Sequence, residues 1–208
     1  MKLLGIDLPT ESHHIAKPIG LCALMISCFF LIDSSHFALY NPAHHGEYYR
    51  LLTSNLAHTN FNHLLMNCIG VILVWLFFAD HLTWPRFIFV LLSCCIGSNL
   101  VAFTLAENDS LVGISGALHG MFIYGAMRDV IEKVNVETGW VILIGAIGKV
   151  ILENTTEFDI GSANLIGTRV AVEAHLSGVV CGLILGVISW LWFKPLLSAK
   201  TSEKTADK

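Results

Sequence analysis

The twenty-four residues from Val170 to Phe193, VAVEAHLSGVVCGLILGVISWLWF, decide the fold class. About 20 mostly apolar residues suffice for a helix to cross the hydrocarbon core of a bilayer, and after Glu173 this stretch carries no Asp, Glu, Lys or Arg. Gly178, Gly182 and Gly186 recur every four residues and line one helix face, a smooth groove for a neighbouring helix. His175 stands three residues before Gly178, shares that face, and is aimed at whatever helix packs there. Taken alone, the pattern is that of a small-residue packing stripe beside a satisfied histidine.

Working outward, five further apolar runs occur: Pro18 to Ile32, Thr53 to Ala79, Pro85 to Ala106, Leu111 to Met127, and Trp140 to Leu152, the last short and holding Lys149. The chain of 208 residues is 54% hydrophobic and 13% charged, with a mean hydropathy of +0.66. A soluble domain carries about 25% charged residues, so this chain lacks the polar residues to cover a water-facing surface. The expectation is an all-α polytopic membrane protein, a bundle of six transmembrane helices in the lipid bilayer. Residues 1–17 form a cytoplasmic segment, 18–193 the bundle, and 194–208 a polar, lysine-rich tail expected to lack fixed structure. The first apolar run reads as a retained helix rather than a removed signal peptide.

The six cysteines (Cys22, Cys28, Cys68, Cys94, Cys95 and Cys181) all sit in apolar runs. That placement suits small buried hydrophobes and not a disulfide framework or zinc ribbon. The net charge of −4 gives no nucleic-acid signature. With the N-terminus in the cytoplasm, the inner side holds nine basic residues: Lys2, Lys17, Arg86, Arg128, Lys133, Lys194, Lys200, Lys204 and Lys208. The outer side holds two, Arg50 and Arg169. The positive-inside rule then puts both termini in the cytoplasm. The loops Ser34–Arg50, Glu107–Ser110 and Glu153–Arg169 face outward.

Polar groups at membrane depth are costly and mark function or packing. Three helices carry them. The second run holds His63 and Asn67, four apart on one face, with Gly70 continuing that face and His58 nearer the outer surface. The fourth opens Gly113-Ile114-Ser115-Gly116-Ala117-Leu118-His119-Gly120. If this helix begins at Leu111, Ser115 lies roughly 6 Å below its start at about 1.5 Å per residue. Free backbone N–H groups and the positive end of the helix dipole favour an oxyanion there. The flanking Gly113 and Gly116 admit another backbone. His119 is one turn further in, on the face of Ser115. The sixth run supplies His175. Taken alone, the His63–Asn67 cluster reads equally as helix packing, and the Ser115 and His175 clusters read better as packing than as chemistry. Together they give a serine, which needs a neighbouring base, a histidine with the right acidity, and candidate oxyanion donors, all in the outer halves of their helices.

The set His58-x4-His63-x3-Asn67, Gly113-x-Ser115-Gly116 and Ala174-His175-x-x-Gly178 with Gly182 resembles the rhomboid family of intramembrane serine proteases. Tyr49-Arg50 resembles that family's aromatic-Arg motif in the first loop. The resemblance spans Tyr49 to Gly186. It implies a Ser115–His175 catalytic dyad without a third carboxylate, oxyanion donors at His63, Asn67 and the Ser115 backbone N–H, no cofactor, and transmembrane protein substrates cut near the outer membrane surface. His119 stands where the family usually has a tyrosine. The run G-x-S-G-x-x-H in so short a chain is similar to the rhombosortase subfamily. That likeness implies exported bacterial substrates with a C-terminal Gly-Gly motif, a transmembrane helix and a basic end, hence protein sorting at an inner membrane. His119 is then expected to hydrogen-bond or stack near His175.

Glu173 is two residues before His175 and points to another face, which argues against a triad role. Lys149 and Glu153, four apart, read as a simple pair or as snorkelling side chains. Phe37, Tyr40, Tyr48 and Tyr49 read as interfacial anchors, and His44 and His45 as solvated. An acyl-enzyme formed on Ser115 can be resolved by water or, in a transpeptidase, by an amine. Two other readings remain: a metal-binding membrane protein using His63, His119 and His175, although no H-E-x-x-H motif occurs, and an inactive rhomboid-like scaffold that only binds transmembrane segments.

Overall fold

The computed structural model describes residues 2–3, 6–7, 12–39, 46–105, 110–155, 162–167 and 170–206, with side chains over 15–39, 46–100, 102, 104, 110–155, 163–167 and 170–192. Among the described residues, six long helices are the frame: α1 (Ser12–Leu31), α3 (Phe61–Phe78), α4 (Trp84–Leu105), α5 (Ser115–Glu132), α6 (Val136–Thr155) and α8 (Val172–Ala206). Two short helices, α2 (Arg50–Thr53) and α7 (Ser162–Ile166), lie in the connections, and Lys2–Leu3 pairs with Ile6–Asp7 as a minimal hairpin. Two stretches, Phe61–His81 and Val172–Trp192, are long and apolar enough to cross a membrane by length and composition. Ile15–Leu31 and Trp84–Leu100 are apolar but shorter.

The core helix is α5, against which α3, α4, α6 and α8 all pack. Its contact with α8 is glycine on glycine. A Cβ on Gly116 would stand 2.7 Å from the Ala174 carbonyl oxygen, and one on Gly120 2.8 Å from that of Gly178. Cβ atoms on Gly178 and Gly182 would meet the carbonyls of Gly116 and Gly120. The backbones therefore touch, as small-residue interfaces between helices allow. The distribution of polarity is the reverse of a soluble bundle. Phe30, Phe89, Val141, Ile144 and Trp192 are 62–76% exposed, while Asn67, Asn99, Asp129 and His175 are 1–4% exposed. An apolar exterior of this extent around a polar interior marks a membrane-facing surface.

Several element boundaries differ from the hydropathy reading, each for a local reason. The second long helix begins at Phe61 rather than Thr53, because the Asn60 side chain accepts the His63 backbone N–H at 3.0 Å and caps it. His58 therefore precedes the helix. Leu111 is not helical: it exchanges backbone hydrogen bonds of 2.9 and 2.8 Å with Leu39. Gly113 follows in the left-handed region, with φ +101°. Ser115 is thus the first residue of α5 rather than a turn inside it. The fifth long helix runs from Val136 to Thr155, beyond Trp140–Leu152, so Glu153 belongs to it and not to the outer loop. The first begins at Ser12, within the segment expected to precede the bundle. The last continues as helix through Ala206, where lysine, glutamate and alanine favour helix over the disorder expected of the tail.

The first connection is stapled by Arg50. Its Nη1 donates to the carbonyls of Ser35, His36 and Ala38 at 3.0, 2.9 and 2.9 Å, and its Nε donates to Glu47 Oε2 at 2.6 Å. Tyr48 and Tyr49 are exposed beside it and Phe37 is half-buried. Tyr40, His44, His45 and Arg169 lie outside the described residues.

Candidate active site

The bundle encloses a cavity of about 840 Å³ at the end that carries the first connection, lined among others by His63, Asn67, Ser115, His119, Lys149 and His175. Ser115 sits at the mouth of α5, where the backbone N–H groups of a first turn have no partner within the helix. The glycine contact brings α8 close enough that Ser115 Oγ and His175 Nε2 are 3.0 Å apart. His175 is 3% exposed, and its other ring nitrogen, Nδ1, lies 3.0 Å from Glu153 Oε2. The site therefore holds a carboxylate on the far side of the histidine, contrary to the dyad that the family resemblance implies. It comes from α6, and Glu173 is not the residue.

Glu153 is itself held. Lys149, one turn earlier on α6, donates to Glu153 Oε1 at 2.6 Å, and its Nζ also lies 3.3 Å from His119 Nε2. His119 Nδ1 is 2.8 Å from the Ser115 carbonyl oxygen. The rings of His119 and His175 stack, with centroids 4.1 Å apart and planes inclined by 23°. Sequence reasoning reduced Lys149 and Glu153 to a simple pair. The signal available was Lys149 inside an apolar run with Glu153 one turn further on, an ionisable group that is expensive at membrane depth unless the bundle interior uses it.

Across the cavity, α3 contributes His63 and Asn67, both buried. His63 Nδ1 pairs with Thr59 Oγ1 at 3.1 Å, which leaves Nε2 towards the cavity. Asn67 Nδ2 is buried with no hydrogen-bond partner among the described residues. Gly113 packs on both: a Cβ there would lie 2.5 Å from His63 Nε2 and 3.2 Å from Asn67 Nδ2. Two donors thus converge beside the open N-terminus of α5, a constellation suited to a developing oxyanion. His58 stacks edge-on against His63 at 5.1 Å. Burial, with His63 beside it, pulls the His58 imidazole down to about 4, so it is neutral at pH 7.

Among the described residues, His119, Glu153 and His175 are the group whose ligand atoms come within 4.8 Å of one another. His63 is not among them. The geometry does not favour a metal there. A metal binds in the plane of an imidazole ring, both His175 nitrogens are engaged within hydrogen-bond distance, and the Lys149 ammonium already bridges Glu153 and His119.

A family model described as Rhomboid domain matches residues 45–192. Rhomboid-like protein 11, chloroplastic, of Arabidopsis thaliana is 28% identical over 166 residues, covering 71% of this chain and 55% of that protein. The chain thus spans about half the length of the curated relative it matches.

Proposed function

Because the chain belongs to the rhomboid family, we propose that it is an intramembrane serine endopeptidase with Ser115 as nucleophile and His175 as general base. The observation that carries this reading is the 3.0 Å approach of Ser115 Oγ to His175 Nε2 at the head of α5, within the range a general base needs. His175 takes the hydroxyl proton as Ser115 attacks the scissile carbonyl. The oxyanion is stabilised by the Ser115 backbone N–H, Asn67 Nδ2 and His63 Nε2–H, each such donor contributing up to about 10²–10³ in rate. His175 then protonates the leaving amine, and water deacylates Ser115 by the reverse path.

The six long helices would all cross the membrane, with both termini in the cytoplasm and the cavity open to the outer face. This orientation follows from the nine-to-two distribution of basic residues and from the site's location at the end that bears the first connection. The substrates would be transmembrane-anchored proteins. His119 in the run G-x-S-G-x-x-H supports the narrower proposal of a rhombosortase-like enzyme in a bacterial inner membrane, removing a C-terminal Gly-Gly, transmembrane and basic sorting signal. Co-expression with a model substrate bearing that signal tests the reading. Wild type should cleave it, and Ser115→Ala and His175→Ala should not. Cleavage that survives in Ser115→Ala would overturn the mechanism. A wild type that cleaves other transmembrane substrates but spares this one would overturn the narrower proposal alone.

A further inference from the structure

We infer that Glu153, held by Lys149, is a positioning residue that fixes the tautomer of His175, so that the site works as a Ser115–His175–Glu153 triad with a lysine behind its carboxylate. This rests on the serine-protease reading above and extends it.

The donors and acceptors of the cluster allow one assignment. The Lys149 ammonium has only protons to give. It donates to Glu153 Oε1 at 2.6 Å and, at 3.3 Å, to His119 Nε2, which must therefore be the acceptor nitrogen of its ring. His119 consequently carries its proton on Nδ1 and donates it to the Ser115 carbonyl at 2.8 Å. The carboxylate of Glu153 accepts only, so His175 carries its proton on Nδ1 and donates it to Oε2 at 3.0 Å. His175 Nε2 is left with a lone pair facing Ser115 Oγ, also at 3.0 Å. That is the tautomer a general base requires. Stacking against His119 at 4.1 Å sets the plane of the ring, and the hydrogen bond to Glu153 sets its rotation within that plane. Glu153 and His175 side chains are each 4% exposed, so the pair is shielded from water. Among the described residues, the charged and titratable groups around His175 come from four helices: Lys149 and Glu153 on α6, His119 on α5, Glu173 on α8 and His63 on α3.

Lys149 gives this arrangement a distinctive failure. In Glu153→Gln, the amide must turn its oxygen to the Lys149 ammonium, which cannot accept. Its NH2 then faces His175 Nδ1 and forces the ring proton onto Nε2, pointing at Ser115. Replacing Lys149 as well, in Lys149→Met/Glu153→Gln, frees the amide to rotate and present its oxygen to Nδ1–H. A residue that served only folding would show no such rescue.

The test measures cleavage kinetics and thermal unfolding in detergent, with Ser115→Ala defining the background. Glu153→Gln should lower kcat by up to about 10⁴-fold, the loss seen when a triad carboxylate is made a neutral amide. KM should stay within about twofold, as expected for an interaction made only in the transition state. The double variant should regain at least about tenfold of that loss, since the tautomer, and not the charge alone, is restored. Full kcat in Glu153→Gln, or a double variant no faster than the single, would overturn the inference while leaving Ser115-dependent cleavage intact. Cleavage that persists in Ser115→Ala would instead remove the reading beneath it. Nitrogen NMR of histidine-labelled wild type, with His175→Ala for assignment, is independent of how the Glu153 and Lys149 variants fold. A proton on Nδ1 of His175 supports the inference and a proton on Nε2 overturns it.

Discussion

Replacing Gly113 by alanine should disable the oxyanion site while leaving the bundle folded. The residue has φ +101°, a conformation that costs an alanine of order 1–3 kcal/mol. The larger effect is steric. The new Cβ would lie 2.5 Å from His63 Nε2 and 2.6 Å from its Cε1, where an ordinary contact is about 3.5 Å. The imidazole must therefore retreat by about 1 Å, and a displacement of that size can cost 10²-fold in rate. Losing a single oxyanion donor costs about 10²–10³. Gly113→Ala should thus lower kcat at least about 100-fold, with an unfolding midpoint only modestly reduced. The cleavage assay should be repeated in a His63→Ala background. There the severe clash has no partner and only the milder 3.2 Å contact with Asn67 Nδ2 remains, so the same substitution should cost about tenfold or less, the backbone strain being shared by ground and transition states. Near-wild-type kcat for Gly113→Ala, or equal losses in both backgrounds, would refute the reasoning.

Three further outcomes are expected. His119→Ala removes a ring stacked on His175 at 4.1 Å, and because such pairs contribute about 0.5–1.5 kcal/mol, kcat measured by cleavage should fall roughly tenfold or somewhat less. Arg50→Ala strips the donors from three first-connection carbonyls; thermal unfolding should report a loss of about 1–3 kcal/mol, and Arg50→Lys should not rescue it because an ammonium lacks the guanidinium fork. His58 is held at about 4 against 6.5 for the free side chain, so its contribution is fully present above pH 6.5 and is lost as pH falls towards 4, amounting to about 2 kcal/mol of lost stability by pH 5. The unfolding midpoints of wild type and His58→Phe at pH 7.5 and pH 5 check this, the variant being the less acid-sensitive.

Hydropathy carries the broad architecture and falls short at helix ends. The glycine spacing in Val170–Phe193 announces a close helix contact, and the matching Gly116 and Gly120 identify α5 as the partner, because only backbone can approach backbone there. Glu153 is the instructive miss. The apolar run stops at Leu152, so the glutamate reads as loop, yet a helix entering a polar cavity continues through residues that hydropathy assigns to water. Its pairing with Lys149 is a local i,i+4 contact, but its pairing with His175 depends on the meeting of α6 and α8, which no local pattern encodes. The start of α5 is similar. Apolar character alone cannot distinguish a helical Leu111 from one bridged to Leu39, and the residue that stops the helix, Gly113, does so by a positive φ that the sequence only permits. The Asn60 cap, by contrast, has a readable signature, a short polar side chain before a long apolar run.

The central claim is that Ser115 is a nucleophile activated by His175. The most direct measurement is mass-spectrometric mapping of a fluorophosphonate adduct on the protein purified in detergent, for wild type, Ser115→Ala and His175→Ala. The account predicts one adduct, on Ser115, absent from Ser115→Ala and strongly slowed in His175→Ala. An unmodified Ser115 in folded wild type, or labelling at an equal rate without His175, would contradict it.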